Sequence, residues 1–190
     1  LFWFASKDLS ALRSTPKKFD QFTTTPGVFS AGNIDPGSEL LAASLPEGLK
    51  GDIADLGAGW GYLSSKILTH DLVGSLDLIE ADATALECAK LNINDTRANF
   101  HWDDATSWAG SYDSVIMNPP FHTGRLGNPD LGRAFITNAA RNLRPKGDLW
   151  MVANRHLPYE QVLNQCFESV VEIPGDSRFK LFQSSRPKRK

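Results

Sequence analysis

The run Ile53-Ala54-Asp55-Leu56 passes directly into Gly57-Ala58-Gly59-Trp60-Gly61, and a helical pattern follows from Tyr62 to about Thr69. An apolar strand that ends in alternate glycines and feeds a helix opens a βα unit. In a sheet built from such units, ligands gather at the carboxyl ends of the strands. The alternation continues. A strand from Ser75 to Ile79 ends at Glu80, and Ala83 to Asn94 has Leu86, Ala89 and Ile93 on one helical stripe. A short strand, Asn99 to Trp102, runs into Asp103-Asp104, and the strand Tyr112 to Met117 ends at Asn118-Pro119-Pro120-Phe121. Residues 130–143 read as a helix stopped by Pro145 and Gly147, with a strand from Asp148 to Val152 after it. The fold class is therefore α/β, with a doubly wound, mostly parallel sheet. The end differs. After a helix near Tyr159 to Cys166, Ser169–Ile173 and Arg178–Gln183 flank the turn Pro174-Gly175-Asp176, which requires an antiparallel hairpin.

A length of 190 residues suits one domain, with an extra piece at one end. Residues 1–25 read as a leader or interdomain segment and 26–190 as the catalytic-type domain. The chain begins at Leu1, in the strand-like Leu1-Phe2-Trp3-Phe4, and so reads as part of something longer. Before the first helix, Asp35-Pro36-Gly37-Ser38 supplies an N-cap acid and a proline at the first helical position. The net charge of −2 argues against a chain that is basic throughout. Positive charge collects at the ends, and the cluster Arg186, Lys188, Arg189, Lys190 is expected to be a frayed, solvated tail. No apolar run is long enough to span a membrane. The two cysteines, Cys88 and Cys166, lie far apart among apolar neighbours and read as reduced, core-facing thiols, which points to a cytoplasmic location. No histidine is spaced for a metal site, so no metal is expected.

Three strand ends carry acids. Asp55 precedes the glycine turn, where a carboxylate repels a pyrophosphate but suits the ammonium of an amino-acid moiety. Gly57, Gly59 and Gly61 depart from the dinucleotide pattern, since position 62 is Tyr and the third glycine comes one residue early. A P-loop Gly-Lys-Ser/Thr is absent as well. Glu80 closes the next strand, where a carboxylate takes ribose hydroxyls. Asp104, with Asp103 as the alternative, is placed to accept from an adenine amino group. S-adenosyl-L-methionine is the nucleotide-like cofactor that combines these features.

The reacting end is Asn118-Pro119-Pro120-Phe121. The Asn118 oxygen and the Pro119 carbonyl make a stiff pair of acceptors for both hydrogens of a planar NH2 group. Phe121 stacks on the ring that bears it. Pro120 and His122 are further candidate substrate contacts, with a proton shuttle or a plain surface-turn histidine as the alternatives for His122. Displacement at a sulfonium methyl needs alignment more than a strong base, so no catalytic base is required.

Together these stretches resemble the class I S-adenosylmethionine-dependent methyltransferases over most of residues 26–183. Pro26-Gly27-Val28-Phe29-Ser30, Asp35-Pro36-Gly37-Ser38, Asn118-Pro119-Pro120-Phe121-His122, Val152-Ala153-Asn154, Leu157-Pro158-Tyr159 and Arg178-Phe179-Lys180 are similar to the bacterial ribosomal RNA guanine-N2 methyltransferases of the RsmC and RlmG type. The resemblance implies a seven-stranded Rossmann-like fold with the cofactor on Asp55, Gly57, Gly59, Glu80 and Asp104. It places the target amine on Asn118, Pro119 and Phe121. It also implies ribosomal RNA or a ribosomal subunit as partner, with the small subunit favoured, and a related N-terminal half outside this chain. The rival readings are methyl transfer to an adenine N6 or a protein glutamine amide, and a catalytically silent module that binds RNA.

Overall fold

The computed structural model describes residues 15–120, 122–123, 126–127 and 129–189. In chain order the elements are β1 (Lys17–Phe19), β2 (Phe22–Thr24), α1 (Pro36–Ala43), β3 (Gly51–Leu56), α2 (Tyr62–Ile67), β4 (Val73–Glu80), α3 (Ala83–Asn92), β5 (Ala98–Trp102) and β6 (Tyr112–Met117). Then come β7 (His122–Thr123), β8 (Leu126–Gly127), α4 (Pro129–Asn142), β9 (Leu143–Asn154), α5 (Glu160–Cys166), β10 (Phe167–Ile173) and β11 (Phe179–Pro187).

Seven strands form one sheet in the order β10-β11-β9-β6-β3-β4-β5. Neighbours from β9 to β5 are parallel, and β11 runs antiparallel to both β9 and β10. The chain winds outward from β3 to β4 and β5, then returns to place β6 on the other side of β3. That reversal opens a crevice at the carboxyl ends of β3 and β6, the place where an open α/β sheet takes its ligand. Because Asp55 pairs with Ile116, the glycine turn and Asn118 leave neighbouring strands at nearly the same height.

The period of two along each strand divides the core. Ile53, Leu76, Leu78, Ile116 and Val152 face α1, α2 and α3, while Ala54, Leu56, Ile79, Val115 and Met117 face α4 and α5. Ile53, Leu76 and Leu78 are wholly buried, each contributing about 1.5–3 kcal/mol relative to exposure. The expected α1 start is present: the Asp35 side chain accepts from Ser38 N at 2.8 Å, and proline stands in the first turn.

Several expectations change. The segment Lys17–Thr24, read as part of a leader, forms the β1–β2 hairpin. It packs Phe19 and Phe22 against Trp60 and exchanges hydrogen bonds with Asn92 through Thr23. Trp60 is therefore buried against this hairpin, with its indole N–H donating to the Phe29 carbonyl at 3.0 Å. Strand β9 is longer than Asp148–Val152. Its register jumps from Tyr112↔Leu143 to Ser114↔Asp148, so Pro145 and Gly147 sit in a bulge within the strand rather than between helix and strand. As far as Arg189 the basic end is not a frayed tail, and Lys190 lies outside the described residues. Lys188 N donates to the Cys166 carbonyl, Lys188 Nζ to the Asn164 carbonyl and Arg189 to the Leu143 carbonyl. These bonds hold it at the amino end of the parallel strands, opposite the crevice. Of the cysteines, Cys88 is buried and Cys166 half-buried.

Candidate functional site

The crevice holds a cavity of about 340 Å³. One wall is the glycine turn, represented by Gly57 and Gly59. A second is the end of β4 and β5, with Glu80, Ala81, Asp104 and Ala105. The third is Asn118-Pro119-Pro120 at the end of β6, and Leu131, Phe135 and Phe29 complete the lining. A smaller recess adjoins it, sharing Phe29, Gly57, Gly59 and Asn118 and reaching back to Asp35, Ser38, Tyr62 and Leu63.

The turn is fastened to the strand beside it. Gly57 N and Ala58 N both donate to the Ile79 carbonyl, and Gly59 N donates to Glu80 Oε2 at 2.8 Å. The other Glu80 oxygen, Oε1, accepts from Asp82 N at 2.7 Å. One carboxylate thus ties two strand-end loops together, while each oxygen keeps lone pairs for a ligand hydroxyl.

The three turn glycines have different reasons to be glycine. All have positive φ, +76°, +57° and +90° at positions 57, 59 and 61. A Cβ on Gly59 would meet nothing within 4 Å, so its left-handed backbone rather than crowding calls for glycine there. A Cβ on Gly61 would come within 2.8 Å of Ile93 and 3.3 Å of Ala89, so this glycine lets the turn pack on α3. Gly61, expected at the cofactor, lines neither the cavity nor the recess.

Asp55 also lies off the cavity surface. It is wholly buried on the α2 side of β3, where Oδ2 accepts from Ser64 Oγ at 2.6 Å and Oδ1 has no partner among the described residues. Burial pushes its carboxyl up to about 7. The Ser64 hydrogen bond opposes the rise, and the Glu80 charge adds to it. The direct ligand contact expected of Asp55 is not offered by this position, although an unpartnered carboxylate oxygen two residues before Gly57 remains an acceptor in waiting.

Of the two acids left open after β5, Asp104 lines the cavity and Asp103 does not. Asp104 Oδ1 is held by Thr106 through its N–H and hydroxyl, and Asp103 caps Asp104 N. The loop behind them is pinned from α4: Asn138 donates to the Ala105 and Trp108 carbonyls, and Asn142 to the Trp108 carbonyl.

Asn118 lines the same cavity as the glycine turn. Its carboxamide nitrogen donates to Asp35 Oδ2 at 2.8 Å and to Ser38 Oγ at 2.9 Å. Pro119 and Pro120 lie beside it in the lining. Phe121 lies outside the described residues, and of His122 only the backbone is described, paired with Gly127. Reading the sequence missed Phe29, Leu131 and Phe135 as lining residues. It also missed the use of Asp35 and Ser38 on Asn118. Phe29 and Asp35 lie in stretches that the resemblance singled out, whereas Leu131 and Phe135 carry only the apolar pattern of a core helix.

The family model described as "Methyltransferase small domain" matches residues 20–183. The chain is 35% identical over 164 residues to the ribosomal RNA small subunit methyltransferase C of Psychromonas ingrahamii, covering 85% of this chain and 47% of that protein. It is 32% identical over 185 residues to the protein of the same name from Shewanella piezotolerans, covering 96% of this chain and 53% of that one. The chain thus spans about half the length of the curated relatives it matches. Among solved structures, the T. thermophilus 16S rRNA N2 methyltransferase (RsmC), in complex with AdoMet and guanosine, aligns with a TM-score of 0.74 and 28% identity. The alignment covers 92% of this chain and 50% of that one.

Proposed function

Because the chain belongs to the methyltransferase small domain family, we infer that it transfers a methyl group from S-adenosylmethionine to the exocyclic N2 amine of a guanine in ribosomal RNA, with the small subunit favoured. The observation that carries this reading is the single cavity lined by both Asn118-Pro119-Pro120 and the Gly57–Gly59 turn, with Glu80 and Asp104 on the adjoining wall. The relatives named as small-subunit methyltransferases and the solved complex with AdoMet and guanosine support the choice of donor and acceptor.

The residues present fit the donor. Gly57 and Gly59 line the cavity without side chains, so backbone can approach a ligand there. Glu80 offers lone pairs to ribose hydroxyls, Asp104 an acceptor for the adenine amine, and Leu131 and Phe135 apolar surface for its ring. When bound, the cofactor supplies a methyl group already activated on a sulfonium. The chain's own work is alignment: Asn118 Oδ1 and the Pro119 carbonyl accept from the two amine hydrogens and turn the nitrogen lone pair toward the donor. The apolar lining keeps water from the reacting atoms, where positive charge disperses as the bond forms. Guanine N2 normally lies inside a base pair, so the target is unpaired or is drawn out of its stack, with Phe121 replacing the lost stacking.

The greater length of the relatives supports a further domain outside this chain, while the β1–β2 hairpin, packed on Trp60 and bonded to Asn92, belongs with the methyltransferase domain. Ribosomal RNA or a ribosomal subunit is the partner, and the location is cytoplasmic. Among the described residues no helix is long and apolar enough to cross a membrane.

Incubation of the chain with ribosomal RNA or small subunits and S-adenosylmethionine, followed by nucleoside mass analysis, should yield N2-methylguanosine. Asn118→Ala should lose the product while binding the cofactor with nearly unchanged affinity by calorimetry. Methylated adenine in place of guanine, or full turnover by Asn118→Ala, would overturn the reading.

A further inference from the structure

A carboxamide has nearly the same shape in two orientations, but one offers an oxygen and the other an NH2. At Asn118 the difference decides whether the site accepts hydrogens from an amine or pushes donors against it. The choice is made 83 residues earlier in the chain. Asp35 Oδ2 stands 2.8 Å from the Asn118 nitrogen, and a carboxylate only accepts. Ser38 Oγ takes the second N–H at 2.9 Å. Both hydrogens are thereby used within the protein, and Oδ1 keeps its lone pairs for the cavity. Turned over, the carboxamide would set its oxygen against the carboxylate, two acceptors at hydrogen-bond distance.

Asp35 is itself held still. The same Oδ2 accepts from Ser38 N at 2.8 Å as the N-cap of α1, and α1 is anchored by the wholly buried Leu41. A side chain at Gly37 would come within 3.1 Å of both Asp35 Oδ2 and the Phe179 ring, so the glycine leaves the acid room to occupy this place.

We propose that Asp35, supported by Ser38, is a positioning residue that fixes the Asn118 carboxamide with its oxygen toward the acceptor pocket, so that the site selects an amino group that donates two hydrogens. This rests on the proposed function for its effect on rate; the orientation itself does not.

Asp35→Ser separates the two roles of the acid. Serine still caps a helix, but its hydroxyl is too short to reach Asn118. Asp35→Asn retains an acceptor oxygen at the same reach. In nitrogen-15 NMR spectra of the cofactor-free chain, the Asn118 side-chain NH2 should exchange slowly with water in wild type and in Asp35→Asn. In Asp35→Ser it should exchange at least about tenfold faster, as expected once a charge-assisted bond is gone. In turnover assays Asp35→Ser should lose about ten- to a hundredfold in kcat, with S-adenosylmethionine affinity within about threefold of wild type; Asp35→Asn should regain most of the loss. An unchanged Asn118 NH2 signal in Asp35→Ser would overturn the proposal. So would weakened cofactor binding with kcat intact, which would make Asp35 a cofactor contact. If the wild-type chain methylates no RNA, the proposed function fails, and the exchange experiment still judges the Asp35 contact.

Discussion

Asp55 should make this protein less stable as the pH rises toward neutrality, and Asp55→Asn should abolish that trend. The carboxyl is wholly buried, with Oδ1 unpartnered among the described residues, and burial raises it from an ordinary 3.8 to about 7. Below the lower value both folded and unfolded chains carry the proton, and stability is at its fullest. Between the two values the unfolded chain has released its proton while the folded one retains it, so stability falls with pH. Above about 7 both are ionised and the loss levels off. A rise of about three pH units corresponds to roughly 4 kcal/mol, of which roughly 3 kcal/mol accrues between about pH 5 and about pH 8. Asparagine mimics the protonated acid and cannot ionise. Urea unfolding of wild type and Asp55→Asn across that range should therefore show the variant gaining on wild type by an amount of this order. The readout is the change in the difference with pH, because the fixed offset also includes how the carboxamide meets Ser64. Parallel curves, with a difference constant within about 0.5 kcal/mol, would refute the assignment of a proton to this buried acid.

Glu80→Gln replaces one of two oxygens that accept backbone N–H groups with a donor, so it should weaken S-adenosylmethionine binding about ten- to a hundredfold by calorimetry. Gly59→Ala and Gly61→Ala should part company. The first should cost about 1–2 kcal/mol in stability for its backbone and also impair ligand binding, since the residue lines the cavity. The second should unfold more readily, by about 2–4 kcal/mol, because its methyl also meets Ile93 and Ala89. Tyr159 Oη is buried without a partner among the described residues, so Tyr159→Phe should melt at or above the wild-type temperature. A methyl at Gly132 would collide with that hydroxyl, so Gly132→Ala should be destabilising and Tyr159→Phe should restore part of the loss.

What could be read along the chain was what neighbouring residues impose on one another. The glycine turn, the acids closing β4 and β5 and the Asn-Pro-Pro turn are local signals at strand ends, and the topology brings those ends to one rim. The N-cap at Asp35 was legible for the same reason. Its second use, on Asn118, was not, because no pattern in the sequence links positions 35 and 118 until α1 packs against the sheet. Burial of Asp55 was hidden by its character: an acid before a glycine turn looks like a surface group until Ser64 is placed over it. The β1–β2 hairpin escaped notice because its three-residue strands are too short for a period to show. Its hold comes from Phe19 and Phe22 on a distant Trp60. The basic stretch at 186–189 reads as solvent-seeking by composition, yet its charges reach carbonyls left open at the ends of α4 and α5.

The placement of β11 bears on how the protein is made. Among the described strands it comes last in the sequence, yet it takes an interior berth between β9 and β10. Until Phe179–Pro187 has emerged, the flank of β9 stands unpaired and β10 has no neighbour to join, so a nascent chain carries a raw sheet border from the completion of β9 until β11 arrives. Losing the final dozen residues would split the finished sheet rather than trim it.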